Sequence, residues 1–380
     1  MSLINRKIKV MIVVPSIDVG GAERFICLLA NHLDRSKMEV RLVVTGSPET
    51  IYELRPDLDF HSFSEDNARN ALFKIRRMMK QLKPDVVFST LCYFNVLLAT
   101  FRQLFPKNIV FVGRESEILK KKLENEKSKI YSFFYKHLAR YFLPNLDVLI
   151  CQSKGMQASL DELGIYHPNI KIINNPIDSK KALKKLEEPV AESYDLVSVG
   201  RLSPVKGFDR MVEVIDLYRK KYNPDIRLAI VGDGPEREKI EALIQEKGLT
   251  NNIFLLGMQA NPFKYFKKAK LFIMASYYEG FPNVLVEGLV CGLPIVAFKV
   301  QGGVQEIIKE GINGFMVPDN NWEGMADTIH KSFQFSFNKD EIQQQAIANY
   351  NINVIISKYE EIIINACSPT STMNKKAVVF

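Results

Sequence analysis

The chain has 380 residues, 47% of them hydrophobic and 25% charged, a balance that excludes a disordered or low-complexity scaffold. At ~100–200 residues per domain the length implies two domains. Net charge is +8, and its placement is informative: residues 1–193 hold 30 Lys and Arg against 22 Asp and Glu, whereas 194–380 hold 21 of each. A positive half points to an anionic partner, either nucleic acid or an acidic membrane surface.

The first half opens with a strand at Ile8–Val14, a loop at Pro15–Gly21 and a helix from Ala22. That apolar run, after Arg6, Lys7 and Lys9, is too short for a secretion signal, and no run approaches the roughly 20 apolar residues of a membrane span. Strands follow at Val40–Val44, Val86–Ser89, Ile109–Val112, Val148–Cys151 and Ile170–Ile173, separated by helical segments such as Ala71–Leu82. Strand and helix in alternation predict a parallel, doubly wound sheet. Residues 1–178 form this domain, and lysine-rich Ser179–Glu192 is expected to be a linker. The alternation restarts over 193–340, with strands at Leu196–Val199, Arg227–Val231, Ile253–Leu256, Leu271–Met274 and Pro294–Phe298 and helices near 210–222, 235–247 and 283–291. Asn338 and Glu341 form a capping pair, residues 341–366 an Ile-rich helix packing back on the first domain, and 367–380 a loose tail. Five scattered cysteines with no Cys-x-x-Cys pair speak against a disulfide framework and fit a reducing cytosol.

Four clusters could carry chemistry. Glu279-Gly-Phe281-Pro282-Asn283 leads from a buried strand into a helix carrying Glu287, so amides and dipole at the helix start favour a bound phosphate, with a carboxylate to either side. The bland alternative is turn chemistry followed by a solvated Glu287. Gly200-Arg201 and Lys206-Gly207 follow the first strand of the second domain, where open parallel sheets bind ligands, and offer two positive charges to a diphosphate. Gly20-Gly21 at the first strand-to-helix turn lacks the full dinucleotide glycine spacing but allows close backbone approach. Gly302-Gly303, with Glu306, is a further glycine turn at a strand end.

The order and spacing of these clusters resemble the retaining glycosyltransferases of family 4. The resemblance implies the GT-B architecture: two Rossmann-like doubly wound α/β domains facing a central cleft, with a C-terminal helix crossing back to the first. It implies transfer from a nucleotide-sugar donor with retention and without a metal or other cofactor. Arg201 and Lys206 would hold the diphosphate, Glu279 the transferred sugar and Glu287 the ribose hydroxyls. Gly20 and Gly21 would border the donor phosphate or the acceptor, with Phe281, Pro282 and Asn283 along the phosphate and sugar and Gly200, Gly303 and Glu306 completing the site. The family's first-domain histidine is absent: Gly113-Arg114-Glu115-Ser116 stands there, so Glu115 or Arg114 would take over that sugar contact. Asp57-Leu58-Asp59, a possible metal-binding pair, is rejected because it lies far in sequence from every phosphate candidate.

Two segments account for much of the first-half charge: Arg69–Lys83, with six basic residues and no acid, and Lys120–Arg140, whose lysines interleave with Tyr131, Phe133, Phe134 and Tyr135. Basic residues beside an aromatic helical face predict an anionic membrane surface as partner; nucleic acid is disfavoured because no base-reading module is present. The expectation is a peripheral enzyme on the inner face of the cell membrane, moving a hexose or N-acetylhexosamine from a UDP-sugar to a lipid-linked or saccharide acceptor of a bacterial surface polysaccharide. A nucleotide-sugar epimerase or hydrolase of the same fold, or a non-catalytic nucleotide-sugar-binding subunit, are the alternatives.

Overall fold

A computed structural model describes residues 6–18, 20–64, 68–190 and 192–368. The chain forms two compact units, Met1–Pro176 with Ile352–Phe380, and Ile177–Asn351.

The first unit is built on seven strands: β1 (Ile8–Val14), β2 (Met38–Val44), β3 (Asp59–Ser62), β4 (Val86–Thr90), β5 (Val110–Arg114), β6 (Val148–Cys151) and β7 (Ile170–Ile172). All pair in parallel, in the order β3-β2-β1-β4-β5-β6-β7. β1 is an almost unbroken apolar run because helices cover both faces of a parallel sheet. Those helices are α1 (Gly21–His32), α2 (Ala68–Leu82), α3 (Cys92–Thr100), α4 (Leu119–Asn125), α5 (Lys129–Phe142) and α6 (Lys154–Glu162). Strand order reverses between β1 and β4, so right-handed crossovers put α1 on one face and α2, α3 and α5 on the other.

The second unit has a parallel sheet of β8 (Leu196–Val199), β9 (Leu228–Val231), β10 (Ile253–Leu255), β11 (Leu271–Met274), β13 (Ile295–Lys299) and β15 (Gly314–Pro318), ordered β10-β9-β8-β11-β13-β15. A separate two-stranded ladder joins β12 (Tyr278–Glu279) to β14 (Gln301–Gly302). Its helices are α7 (Ser179–Leu186), α8 (Phe208–Lys221), α9 (Arg237–Glu246), α10 (Phe263–Lys268), α11 (Asn283–Val290), α12 (Val304–Ile307), α13 (Trp322–Gln334) and α14 (Lys339–Tyr350). Here strand order reverses between β8 and β11.

Two expected boundaries need correction. Ser179–Glu192 is not a linker: its first half is α7, capped by the Asp178 side chain, which accepts from the Lys181 amide at 3.0 Å. Lys180, Lys181 and Lys184 face outward while Ala182 is buried and Leu183 and Leu186 pack on the core, so a charged composition conceals an amphipathic turn. Nor is 341–366 one helix. α14 begins at the Asn338 cap, which accepts from the Glu341 amide at 3.1 Å, and ends with the second unit. Asn351 is extended and donates to the Ser179 hydroxyl at 2.6 Å; the chain then restarts as α15 (Ile352–Cys367) in the first unit. Residues 369–380 of the expected tail lie outside the described residues, and Cys367 closes α15.

α15 is held by Ile352, Ile355, Ile356, Tyr359 and Ile363, spaced three or four apart on its buried face. The Tyr359 ring lies 5.0 Å from that of Phe25 and 5.9 Å from that of Phe88. The Arg114 guanidinium sits 3.7 Å over Phe25, donating to the Tyr359 and Thr90 hydroxyls and to the Asn175 side-chain Oδ1. Arg114 is fully buried, its charge met there by dipoles and an aromatic face, so it is a structural tie between β5 and α15.

Candidate functional site

The chemistry-bearing loops of the second unit leave the carboxyl ends of neighbouring strands at the reversal of strand order, where open parallel sheets form crevices. The loop after β8 runs through Arg201 and Lys206 to Gly207, whose φ of 62° is left-handed. A Cβ on Gly207 would lie 2.0 Å from the Ala275 carbonyl oxygen, so only glycine lets this loop rest directly on the one after β11. That contact brings Lys206 to Glu279. Lys206 Nζ donates to Glu279 Oε1 at 2.7 Å, and Ser276 Oγ donates to the same oxygen at 2.7 Å. Glu279 is 9% exposed, while the Lys206 side chain keeps 29% of its surface open.

The β12–β14 ladder sets Glu279 beside Gly302 and thereby joins a third loop, the one after β13. The Gly303 amide donates to the Glu279 and Gly280 carbonyls at 3.1 Å each. The fourth loop, after β9, is Gly232-Asp233-Gly234, which the sequence reading passed over. The Leu202 amide donates to the Asp233 carbonyl at 3.0 Å, and a Cβ on Gly232 would meet the Gly200 oxygen at 2.0 Å. Paired small residues after a buried strand were the available signal. Arg201 stands exposed on this platform, its side chain making no hydrogen bond or ion pair among the described residues.

Arg210 was also missed. It lies on the buried face of α8, 1% exposed, and donates to the Ala275 and Ser276 carbonyls, to Asp319 at 2.7 Å and to Asn320 at 3.1 Å. Its guanidinium lies 4.1 Å from the Tyr277 ring and 4.4 Å from that of Phe298. It pins the loop that presents Ser276 and Glu279. An arginine within the apolar stripe of Met211 and Val214 was the clue.

The remaining expected residues fall unevenly. Glu287 is buried on α11, eight positions after Glu279, rather than on a solvated helix face. Pro282 precedes α11, whose positive end starts at half-buried Asn283. The Phe281 side chain is committed to the core, 6.0 Å from the Tyr350 ring, so only its backbone remains for a ligand. Glu306 is half-buried on α12; its charge, after burial, helps push the Tyr350 phenol up to about 12.

In the first unit, Gly20 and Gly21 sit at the β1 end, beside the reversal of strand order. The Tyr52 hydroxyl donates to the Gly20 carbonyl at 2.9 Å and lies 3.1 Å from the Gly20 amide. Neither Glu115 nor Arg114 faces solvent: they are 1% and 0% exposed, against the expectation of a direct sugar contact. Arg114 is taken up by α15, as described, and Glu115 by a polar cluster under α3. Asn95 Nδ2 donates to Glu115 Oε1 at 2.8 Å, while Oε2 lacks a close hydrogen-bond partner among the described residues. Asp57 and Asp59 are held by arginines, Asp57 by Arg55 at 2.7 and 2.8 Å and Asp59 by Arg41.

The basic segments divide. On α4, Lys120, Lys121 and Lys122 pair with Glu162, Glu124 and Glu117. On α5 only Tyr135 and Ala139 are buried, and Ile130, Phe133, Phe134 and Tyr141 are 59–75% exposed beside Lys136 and Arg140. On α2, Arg77 and Lys80 are exposed.

Burial raises the Glu115 carboxyl above the ordinary glutamate range, outweighing the hydrogen bonds from Asn95 and Cys92 that lower it. Above an unfolded value of about 4.3 the unfolded chain gives up this proton before the folded one does, so stability falls as pH rises. Glu115→Gln is therefore expected to raise the melting temperature relative to the parent between about pH 5 and 8, with the gap closing near pH 4. Parallel melting curves across that range would mean that Glu115 is ionised inside the fold.

Residues 19–181 match the family model described as Glycosyltransferase Family 4, and residues 179–351 that described as Glycosyl transferases group 1. One relative is the N-acetylgalactosamine-N,N'-diacetylbacillosaminyl-diphospho-undecaprenol 4-alpha-N-acetylgalactosaminyltransferase of Campylobacter jejuni, 27% identical over 83% of this chain and 88% of its own. Another is the lipopolysaccharide core biosynthesis glycosyltransferase LpsE of Rhizobium meliloti, 25% identical over 82% and 85%. Among solved structures, the apo lipopolysaccharide outer core galactosyltransferase WaaB has a TM-score of 0.74 at 17% identity, covering 94% of this chain and 99% of its own. HepE of Anabaena in complex with UDP has a TM-score of 0.75 at 19% identity, covering 94% and 100%. With two parallel-sheet α/β units of GT-B type and both halves matched in order, the chain belongs to glycosyltransferase family 4.

Proposed function

We propose that the protein transfers a hexose or N-acetylhexosamine from a UDP-sugar to a lipid-linked or saccharide acceptor in bacterial surface polysaccharide assembly, with retention and without a metal. The observation that carries this reading is the Lys206–Glu279–Ser276 cluster at the reversal of strand order, beside exposed Arg201 and the positive end of α11. A pyrophosphate entering there competes with Glu279 for Lys206. Lys206 and Arg201 then face the oxygens on which charge develops as the sugar–phosphate bond breaks, the task a metal performs elsewhere. Glu279, released from Lys206, accepts from a hydroxyl of the transferred sugar, and Glu287 from the ribose. The acceptor oxygen bonds to the anomeric carbon on the face the phosphate leaves, and its proton passes to a phosphate oxygen. The relatives' names support the acceptor class, and HepE has been solved with UDP-glucose.

Lys206→Ala and Glu279→Ala are each expected to lower kcat/KM by about 10²–10³-fold, with activity unchanged by excess chelator. Full activity in either variant, or its loss in EDTA, would overturn the corresponding part of this reading.

The first unit is the membrane-facing one. Its α5 presents Ile130, Phe133, Phe134 and Tyr141 beside Lys136 and Arg140, an apolar face with basic flanks suited to an anionic bilayer at the inner surface of the cell. No helix among the described residues is long and apolar enough to cross a membrane. The full chain should co-sediment with anionic vesicles at low salt and release at high salt; no sedimentation at low salt would refute the assignment.

A further inference from the structure

The outer surface of the first unit carries a groove of about 550 Å³, lined by Leu72, Phe73 and Arg76 of α2, Leu97 of α3, and Phe101 and Leu104 just beyond α3. That volume falls within the roughly 300–1,000 Å³ of small-molecule sites. Phe73 is 61%, Phe101 37% and Leu104 54% exposed, so three large apolar side chains stand together in water. Single exposed apolar residues are ordinary; a contiguous set around a trough marks a binding surface.

The groove has a charged rim. Arg76 Nε donates to the Leu104 carbonyl at 2.7 Å, which ties α2 to the segment after α3 and leaves the rest of the guanidinium at the edge. Exposed Lys74, Arg77 and Lys80 continue the positive charge along α2, and residues 69–83 contain no acid. A hydrocarbon body fits the trough, and an anionic head fits its rim. Free phosphate has nothing to place in the trough, and an apolar peptide has nothing to place on the rim.

We propose that this groove holds one hydrocarbon chain of a phosphate-headed membrane lipid, with the phosphate at Arg76 and the basic row of α2. The inference rests on the reading of the first unit as membrane-facing. α3 runs back from the carboxyl end of β4, and Leu97, Phe101 and Leu104 lie on its far half or beyond it, away from Gly20 and Gly21. The bound lipid is therefore an anchor, separate from the group presented for reaction.

The test is calorimetric titration of the full chain, its second-unit phosphate site filled beforehand with excess UDP, with hexyl, octyl and decyl phosphate below their micellar concentrations, beside inorganic phosphate and decanol. We expect one-to-one saturable binding that tightens by up to about fourfold per added methylene, with inorganic phosphate failing to bind measurably. Phe73→Glu with Leu104→Glu should weaken decyl phosphate by about tenfold or more. Arg76→Gln should bring decyl phosphate down towards decanol. Both substituted apolar residues are exposed, and an unchanged thermal shift on adding UDP confirms that the variants are folded. Affinity independent of chain length, equal binding by the double variant, or saturation by inorganic phosphate alone would overturn the groove. Vesicle sedimentation without alkyl phosphate binding removes the groove and leaves the membrane reading standing. Alkyl phosphate binding without sedimentation removes the anchoring role.

Discussion

One ion pair organises the second unit's site: Lys206 on the loop after β8 and Glu279 on the loop after β11, 2.7 Å apart where the strand order reverses. Those strands are neighbours in the sheet, yet 73 residues separate the partners in the chain. A half-buried lysine held by a buried carboxylate is a charge already placed for an anion, at little further cost in side-chain ordering when one arrives. On the proposed function, the pair is a placeholder that a pyrophosphate displaces.

Its geometry depends on groups that carry no chemistry. Gly207 allows the two loops to touch, the β12–β14 ladder and the Gly303 amide fix the backbone of Glu279, and Arg210 clamps the carbonyls of Ala275 and Ser276 from below. Arg210 has a structural counterpart in Arg114, also buried, which ties β5 to α15 in the first unit. In each case a delocalised cation with several donors satisfies scattered carbonyl and side-chain oxygens that a lysine could not reach together.

Much of this was legible in the amino-acid order. Parallel strands buried on both sides read as plain apolar runs, which is why Ile8–Val14 and Leu271–Met274 stand out with their boundaries. Gly200, Lys206, Glu279 and Gly303 were marked by their place after such runs, and those loops do converge. The failures share a cause, which is that composition records a side chain's charge but not its burial. Lysines hid the amphipathic turn of α7, and Glu115 and Arg114, polar at a strand end, read as ligand contacts although neither reaches solvent. Arg210 escaped notice because its partners come from loops more than 60 residues away. The break at Asn351 was invisible because helical residues continue on both sides.

The most direct test of the placeholder role compares binding of UDP and of uridine to the parent and to Lys206→Met by calorimetry. If Lys206 exchanges Glu279 for the pyrophosphate, UDP affinity falls by about tenfold or more, as for loss of a charge-assisted contact, while uridine affinity is unchanged. Equal affinities of the two proteins for UDP, or equal losses for UDP and uridine, would contradict it.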